Sequence, residues 1–213
     1  MTTNNPSSEP NLNNSMPGLV LVLDTTGSAS QVGVVRDGKW LIQDSREMTY
    51  GQAEHLIPMV KEAMTSVGEQ FADLSAVVVT VGPGSFTGLR VGLAAAQGIS
   101  VVAKCPVIGV SSLAAWATSS AHVGSVRVCL DSRRGDAFVQ DFDADRQPLS
   151  DGMILAMEIA ERHPADMICI GDLISGQAAP PLAAIYVAAC HPSHQLPAEP
   201  LYLRAPDAVP SCK

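Results

Sequence analysis

Aromatic residues make up only 4% of the 213-residue chain, so its interior has to be packed with aliphatic side chains. Cations are scarce too. Lysine and arginine total 13 against 21 acidic residues, a formal net charge of −8. Such a chain lacks the positive excess that neutralises nucleic-acid phosphates, which argues against unaided nucleic-acid binding but does not exclude action on RNA through a basic partner. The five cysteines (Cys105, Cys129, Cys169, Cys190 and Cys212) are scattered, odd in number and form no CxxC pair, so neither a disulfide framework nor a zinc site is indicated. Cys129 and Cys169 fall in apolar, strand-like runs, where a reduced thiol behaves as a small hydrophobe. The histidines, His55, His122, His163, His191 and His194, form no HxxxH motif, and the last two fall in a proline-rich tail expected to be mobile. A structural metal is therefore not expected. No uncharged run reaches spanning length: residues 91–103 are too few and contain Gly92 and Gly98. The start, residues 1–18, is rich in Asn, Ser and Pro, without the basic and apolar regions of a signal peptide, and is expected to be disordered. These absences together point to a soluble, cytoplasmic protein.

What is present is aliphatic and glycine-rich: 46% of the residues are hydrophobic and 17 are glycine. That balance favours an α/β architecture of one or two domains. Residues 19–23 form a continuous apolar run ending at Asp24, as in a strand buried on both faces. Residues 32–35 and 40–42 flank Asp37-Gly38, a two-residue hairpin signal. From 52 to about 67 the period becomes helical, with Leu56, Met59, Val60, Ala63, Met64 and Val67 on one face; Pro58 predicts a kink or a late start, and Gly68 a stop.

Residues 77–105 organise the rest. An apolar β-branched run meets Gly82-Pro83-Gly84-Ser85-Phe86-Thr87-Gly88, and an alanine-rich helix follows over about 87–103, capped by Ser85 or Thr87. The turn is a possible anion site, since amides converge at a helix N-terminus. Yet it matches neither GxxxxGK[ST] nor GxGxxG, and no lysine follows it. Gly88, Gly92 and Ala96 are spaced by four. Each glycine costs a helix about 1 kcal/mol against alanine, so close approach must compensate, either to this protein's own sheet or to a helix of another chain.

Beyond the helix, residues 107–110 read as a strand, 113–119 as a helix and 126–130 as another apolar strand ending in Asp131. The turn Ser132-Arg133-Arg134-Gly135 leads to an alternating strand, 137–142. A helix over 154–162, a strand over 167–170 and an apolar segment over 182–189 complete the chain. The tail holds at most a short ordered piece, Pro200-Leu201-Tyr202-Leu203-Arg204. The second half echoes the first. Two copies of hairpin plus helices, each with an aspartate ending its first strand, describe a duplicated ribonuclease-H-like fold of the actin/hexokinase/Hsp70 type with a degenerate second half. The expected boundaries are a disordered extension over 1–18, a first subdomain over 19–110, a second, degenerate one over 111–207, and a tail over 208–213.

The chemistry in this frame is incomplete. Asp24 and Asp131 at equivalent strand ends are weak candidates for holding a metal or a water, with Thr25, Thr26 and Ser132 beside them for phosphates; the alternative is that they cap turns. Ser85 does not lie in a GxSxG elbow and has no histidine partner at recognisable spacing. No catalytic residue and no metal ligand is assigned.

The string Val81-Gly82-Pro83-Gly84-Ser85-Phe86-Thr87-Gly88-Leu89-Arg90-Val91-Gly92 closely resembles the TsaB (YeaZ) family of bacterial tRNA-modification proteins. The match extends to Leu23-Asp24-Thr25, to Glu54-His55-Leu56-Ile57-Pro58-Met59, to Val107-Ile108-Gly109-Val110-Ser111-Ser112-Leu113, to Asp131-Ser132-Arg133-Arg134-Gly135 and to Pro200-Leu201-Tyr202-Leu203-Arg204. It covers about residues 19–207 and thins after Gly135. The resemblance implies a non-catalytic subunit that binds and activates TsaD in forming N6-threonylcarbamoyladenosine beside the anticodon of tRNAs reading ANN codons. TsaE joins the pair, tRNA is met only through the complex, and ATP and a metal belong to the partner subunits, with no cofactor bound by this chain. Where TsaD-type chains carry an HxxxH metal motif, Ser112 and Trp116 stand here. Helices over 52–67 and 87–103 would pack on their TsaD equivalents, or on a second copy when the chain is alone. The partner-facing residues expected are His55, Leu56, Met59, Val60, Gly88, Arg90, Gly92, Leu93 and Ala96. The rival readings are a glycoprotease-like peptidase of the M22 type, which needs a metal or nucleophile not found here, and a stand-alone actin/Hsp70-type ATPase, which needs a working cleft around Asp24 and Asp131.

Overall fold

The computed structural model describes residues 15–48, 51–160, 162, 164 and 166–204; His163, Cys212, the tail 208–213 and all but the last few residues of the N-terminal extension lie outside them. Strand β1 (Leu19–Asp24) is buried at every position, as its unbroken apolar run requires. It pairs antiparallel with β2 (Ala29–Arg36), which turns through Asp37-Gly38 into β3 (Lys39–Glu47). Both turn residues have positive φ, 49° and 78°, the conformation that makes Asp-Gly a hairpin signal. On the other side of β1 lie the parallel strands β4 (Leu74–Gly82) and β5 (Val107–Ser111).

Helices α1 (Gln52–Ser66) and α2 (Phe86–Ala103) cover one face of this sheet, burying Leu56, Met59, Leu89 and Leu93 against Leu21, Leu23 and Val79. Pro58 is the seventh residue of α1, which starts at Gln52 and runs on through it. By length and composition α2 is apolar enough to cross a membrane, but its inner face is built into this core.

The second sheet contains β6 (Val126–Asp131), β7 (Asp136–Phe142), β8 (Met153–Ala156) and β9 (Ile168–Ile170). Its order is β8-β7-β6-β9, with β6, β7 and β8 antiparallel and β9 parallel to β6. The first sheet contains the same arrangement, β3-β2-β1-β4, extended by β5. The fold is therefore a duplicated ribonuclease-H-like unit with a reduced second copy. Helix α3 (Ser112–Ser119) joins the two cores: Ala115 packs against the first sheet, Leu113 and Trp116 against the second.

Four segments depart from the sequence reading. The helix expected over 154–162 is β8 followed by one helical turn, α4 (Met157–Ala160). Ile154 and Leu155 pack into different clusters on the two sides of the second sheet, the period-two alternation of a strand; pairing with β7 overrides the local helical pattern. The second subdomain, expected to run to 207, does not hold its chain to the end. After α5 (Asp172–Ser175), helix α6 (Leu182–Cys190) covers the remaining face of the first sheet, and β10 (Gln195–Leu196) pairs with β5 at its edge. Nor are residues 191–204 of the proline-rich tail loose. Leu201 N donates to Val81 O at 2.8 Å, Gln97 Nε2 to Ala198 O at 3.1 Å, and Arg204 pairs with Asp136. The end of the expected N-terminal extension is also held, Met16 N lying 3.0 Å from the Tyr186 hydroxyl.

His194, assigned to the tail, is only 5% exposed. Burial, and secondarily the neighbouring His191, holds its pKa below the ordinary 6.5. The unfolded chain therefore takes up a proton that the folded chain resists, and stability present above about pH 6.5 is lost as the pH falls. The urea midpoint should drop between about pH 7 and about pH 5, and drop less in His194→Gln; equal drops in both proteins would contradict this.

Candidate functional site

The end of β1 is closed to solvent. Asp24 is 0% exposed. Its Oδ1 accepts from Thr26 N at 3.0 Å, Thr26 Oγ1 at 2.7 Å and Thr80 Oγ1 at 2.5 Å, and its Oδ2 from Gln31 Nε2 at 3.1 Å. A buried carboxylate is tolerated when it is hydrogen-bonded in this way. Thr25, also buried, donates its hydroxyl to Gly88 O at 2.6 Å. Asp24 and Thr25 are thus engaged in hydrogen bonds within the chain.

The glycine turn is filled by the same segment. A Cβ on Gly84 would fall 2.5 Å from Thr26 O, one on Gly88 would strike Thr25 O, and one on Gly92 would fall 2.5 Å from Thr25 Oγ1. Ser85 N donates to Thr26 O at 2.8 Å, while Ser85 Oγ caps α2 by accepting from Gly88 N at 3.2 Å. The turn therefore seats the β1–β2 connection, where a phosphate cradle was considered. The small-residue ridge faces inward as well. Gly88, Gly92, Leu93 and Ala96 are buried, and so are Leu56, Met59 and Val60 of α1. Of the nine partner-facing residues expected, only His55 and Arg90 are exposed. The close approach that the glycines permit is to this protein's own Thr25 and Val79.

The opposite face of the helix pair is open. Between α1 and α2 runs a groove of 510 Å³, whose walls include Ala53 and Ile57 of α1 and Val91, Ala94, Gly98 and Val102 of α2. A Cβ on Gly98 would meet nothing within 4 Å. Val101 and Val102 are 78% and 68% exposed, an apolar display that singly placed surface residues do not explain. Leu56 and Val60, two of the partner-facing residues expected, also line this groove, whereas none of those expected on α2 does. The signal was there: Val91, Ala94, Ala95, Gly98 and Val102 recur at three- and four-residue spacing, off the Gly88–Gly92–Ala96 line.

A second concavity, of 730 Å³, separates the two sheets and is lined by the β1–β2 turn, the start of α2, the β6–β7 turn and the tail. On α3, Ser112 lies 3.1 Å from Thr26 Oγ1 and Trp116 is buried against the second sheet. Asp131 Oδ1 accepts from Arg133 N at 2.7 Å, and Asp131 N donates to Asp172 Oδ1 at 2.9 Å. Burial pushes the Asp172 carboxyl up from its ordinary value. Ser132 donates to Asp136 and receives Arg134 N at 3.2 Å. Among the described residues, no three of His, Cys, Asp and Glu converge as a metal-binding group.

Two ribonuclease-H-like units around a cleft define the class, a small protein of the actin/hexokinase/Hsp70 type. Comparison with known proteins narrows it. The family model of TsaD, tRNA N6-adenosine threonylcarbamoyltransferase, matches residues 50–161, just over half of the chain. The chain is 31% identical over 137 residues to the Escherichia coli tRNA threonylcarbamoyladenosine biosynthesis protein TsaB, a match spanning 62% of this chain and 58% of that protein. It is 34% identical over 209 residues to an uncharacterised protein of Mycobacterium tuberculosis, spanning 90% and 94% of the two. The structure of YeaZ from Pseudomonas aeruginosa superposes with a TM-score of 0.74 at 21% identity, covering 87% of this chain and all of that one. The chain belongs to the TsaB (YeaZ) family.

The inward ridge makes a direct prediction. Gly92→Leu should destabilise the isolated chain by about 1–3 kcal/mol through overpacking against Thr25. Asp24→Ala, which strips the acceptor from two buried hydroxyls, the Thr26 backbone amide and the Gln31 side-chain amide, should cost at least about 2 kcal/mol. Urea unfolding measures both, and unchanged midpoints would contradict the packing described.

Proposed function

We propose that this chain is a non-catalytic subunit in the formation of N6-threonylcarbamoyladenosine on tRNA, binding and activating a TsaD-type transferase. The observation that carries the reading is the apolar groove between α1 and α2, which no described residue fills. Membership of the TsaB family supplies the pathway, since its named relatives are tRNA threonylcarbamoyladenosine biosynthesis proteins. The likeness of residues 50–161 to the TsaD model supplies the partner's shape. A related chain presenting equivalent helices can meet this groove as a four-helix contact, burying Ile57, Ala94, Gly98 and Val102. Gly98 is the small residue through which a partner helix approaches closely.

In this reading ATP and the transferase metal lie in partner subunits, TsaE joins the complex, and tRNA is met through the assembly. The side chains that a catalytic cleft would need are engaged elsewhere: Asp24 in four internal bonds, Thr25 in one to α2. Neither the peptidase nor the stand-alone ATPase alternative gains a supporting observation. In the absence of the transferase, the same groove serves an isologous contact between two copies, because a two-fold axis reuses one patch.

Reconstitution tests this. Threonylcarbamoyl transfer by TsaD with TsaE and the threonylcarbamoyl-adenylate supplier should depend on the native chain. Ala94→Glu combined with Gly98→Glu should weaken pairing on the order of a hundredfold, because a carboxylate would be buried unpaired. Both side chains point into open groove in the monomer, so its unfolding midpoint should stay within about 0.5 kcal/mol. Transfer that proceeds without the chain, or pairing that survives the double substitution, would overturn the proposal.

A further inference from the structure

The chain crosses between its two subdomains twice because the topology demands it, and a third time without that need. It leaves the first sheet through β5 and α3, and it returns after α5, since α6 lies on the first sheet. Once β10 has paired with β5 at that sheet's edge, the tail is under no topological requirement to meet the second subdomain. Residues 198–204 nevertheless run from one subdomain to the other.

The first part of this segment is fastened to the first subdomain. Gln97 Nε2 of α2 donates to Ala198 O at 3.1 Å, and Leu201 N donates to Val81 O of β4 at 2.8 Å. The Ala198 and Leu201 side chains pack against the first core. Tyr202 stacks on Phe86 at the start of α2 with ring centroids 5.7 Å apart, and its hydroxyl accepts from Arg90 Nε at 3.1 Å. The next two residues belong to the other side. Leu203 packs against the core of the second sheet, and a Cβ on Gly152, just before β8, would fall 3.1 Å from its Cδ1. Arg204 pairs with Asp136 at the start of β7, whose carboxylate also receives the Ser132 hydroxyl. Phe86, Arg90, Tyr202 and Arg204 all line the cleft between the sheets, so the crossing is made at the cleft itself.

Each of these anchors is modest. Tyr202 is 41% exposed, and the Arg204 and Asp136 side chains are 31% and 24% exposed. An ion pair so open to water contributes little alone, and a few such contacts can open locally without global unfolding. The other joint is firmer: α3 is buried against both cores. A helix packed on both sides serves as an axis, and a segment attached to the two bodies away from it sets their angle.

We propose that residues 198–204 are a strap that holds the two subdomains at one angle, and that its release lets the second subdomain rotate about α3. Tyr202 and Arg204 are the fastenings, one on each side. Because Tyr202 rests on Phe86 and Arg90, release is also felt at the start of α2. Only non-covalent contacts open and close. The strap shares no residue with the lining of the groove between α1 and α2, so failure of this inference leaves the pairing proposal standing.

Residual dipolar couplings of the isotopically labelled full-length chain, weakly aligned in a liquid-crystalline medium, read the angle directly. In the native chain the amides of both sheets should fit a single alignment tensor. In Leu203→Ala/Arg204→Ala the two sheets should require different tensors. The Leu201 amide, freed from Val81 O, should then exchange at least about tenfold faster, with β1 and β6 still protected. If the double variant loses protection in β1 or β6 as well, Arg204→Ala alone supplies the reading, with about a threefold effect at Leu201 and the same separation of tensors. Two tensors in the native chain, a single tensor in a variant whose Leu201 amide has been freed, or unchanged Leu201 exchange in both variants would each overturn the proposal.

Discussion

The hydroxyl of Thr25 donates to the carbonyl oxygen of Gly88, and the placement of α2 depends on that contact. Thr25 is held in turn by the buried carboxylate of Asp24, whose bonds to Thr26, Thr80 and Gln31 tie β1 to β2 and β4. A carboxylate taken out of water needs every lone pair answered, so the turn after β1 has little freedom. Gly84, Gly88 and Gly92 lack side chains where that turn presses on them. Helix α2 can therefore lie close over the strand end, and its orientation decides which residues face out.

From that orientation the molecule's surfaces divide. The inward line of α2 belongs to the core. The outward line, with the matching side of α1, forms an apolar groove that no described residue fills. The start of α2, carrying Phe86 and Arg90, turns toward the cleft between the sheets. One helix thus contributes to two surfaces of different chemistry, one aliphatic and uncharged apart from Lys61, the other cationic and aromatic. Such a division suits a subunit that works through contacts.

Much of this was legible in the residues. The unbroken apolar runs before Asp24 and Asp131, the Asp37-Gly38 turn and the repeat of that pattern gave both sheets and their kinship, because burial on two faces and tight turns leave strong local signatures. Which side of α2 faces outward was not legible from Gly88, Gly92 and Ala96, since a ridge of small residues serves close approach to an own sheet or a foreign helix equally well. The β8 segment was misread because Ile154 and Leu155 acquire their strand alternation only through pairing with β7. The ordered tail was missed for a similar reason: its anchors at Val81 and Asp136 are remote in sequence. The cleft's arginines and aromatics are scattered from Phe86 to Arg204 and converge only in three dimensions.

The central claim, that the outward faces of α1 and α2 form the partner surface, is tested most directly by amide hydrogen exchange on the chain alone and with its transferase. The account predicts slowed exchange on complex formation in α1 and in the second half of α2, with β3 and β8 unchanged. Protection confined to the second sheet, with α1 and α2 exchanging as in the free chain, would contradict it.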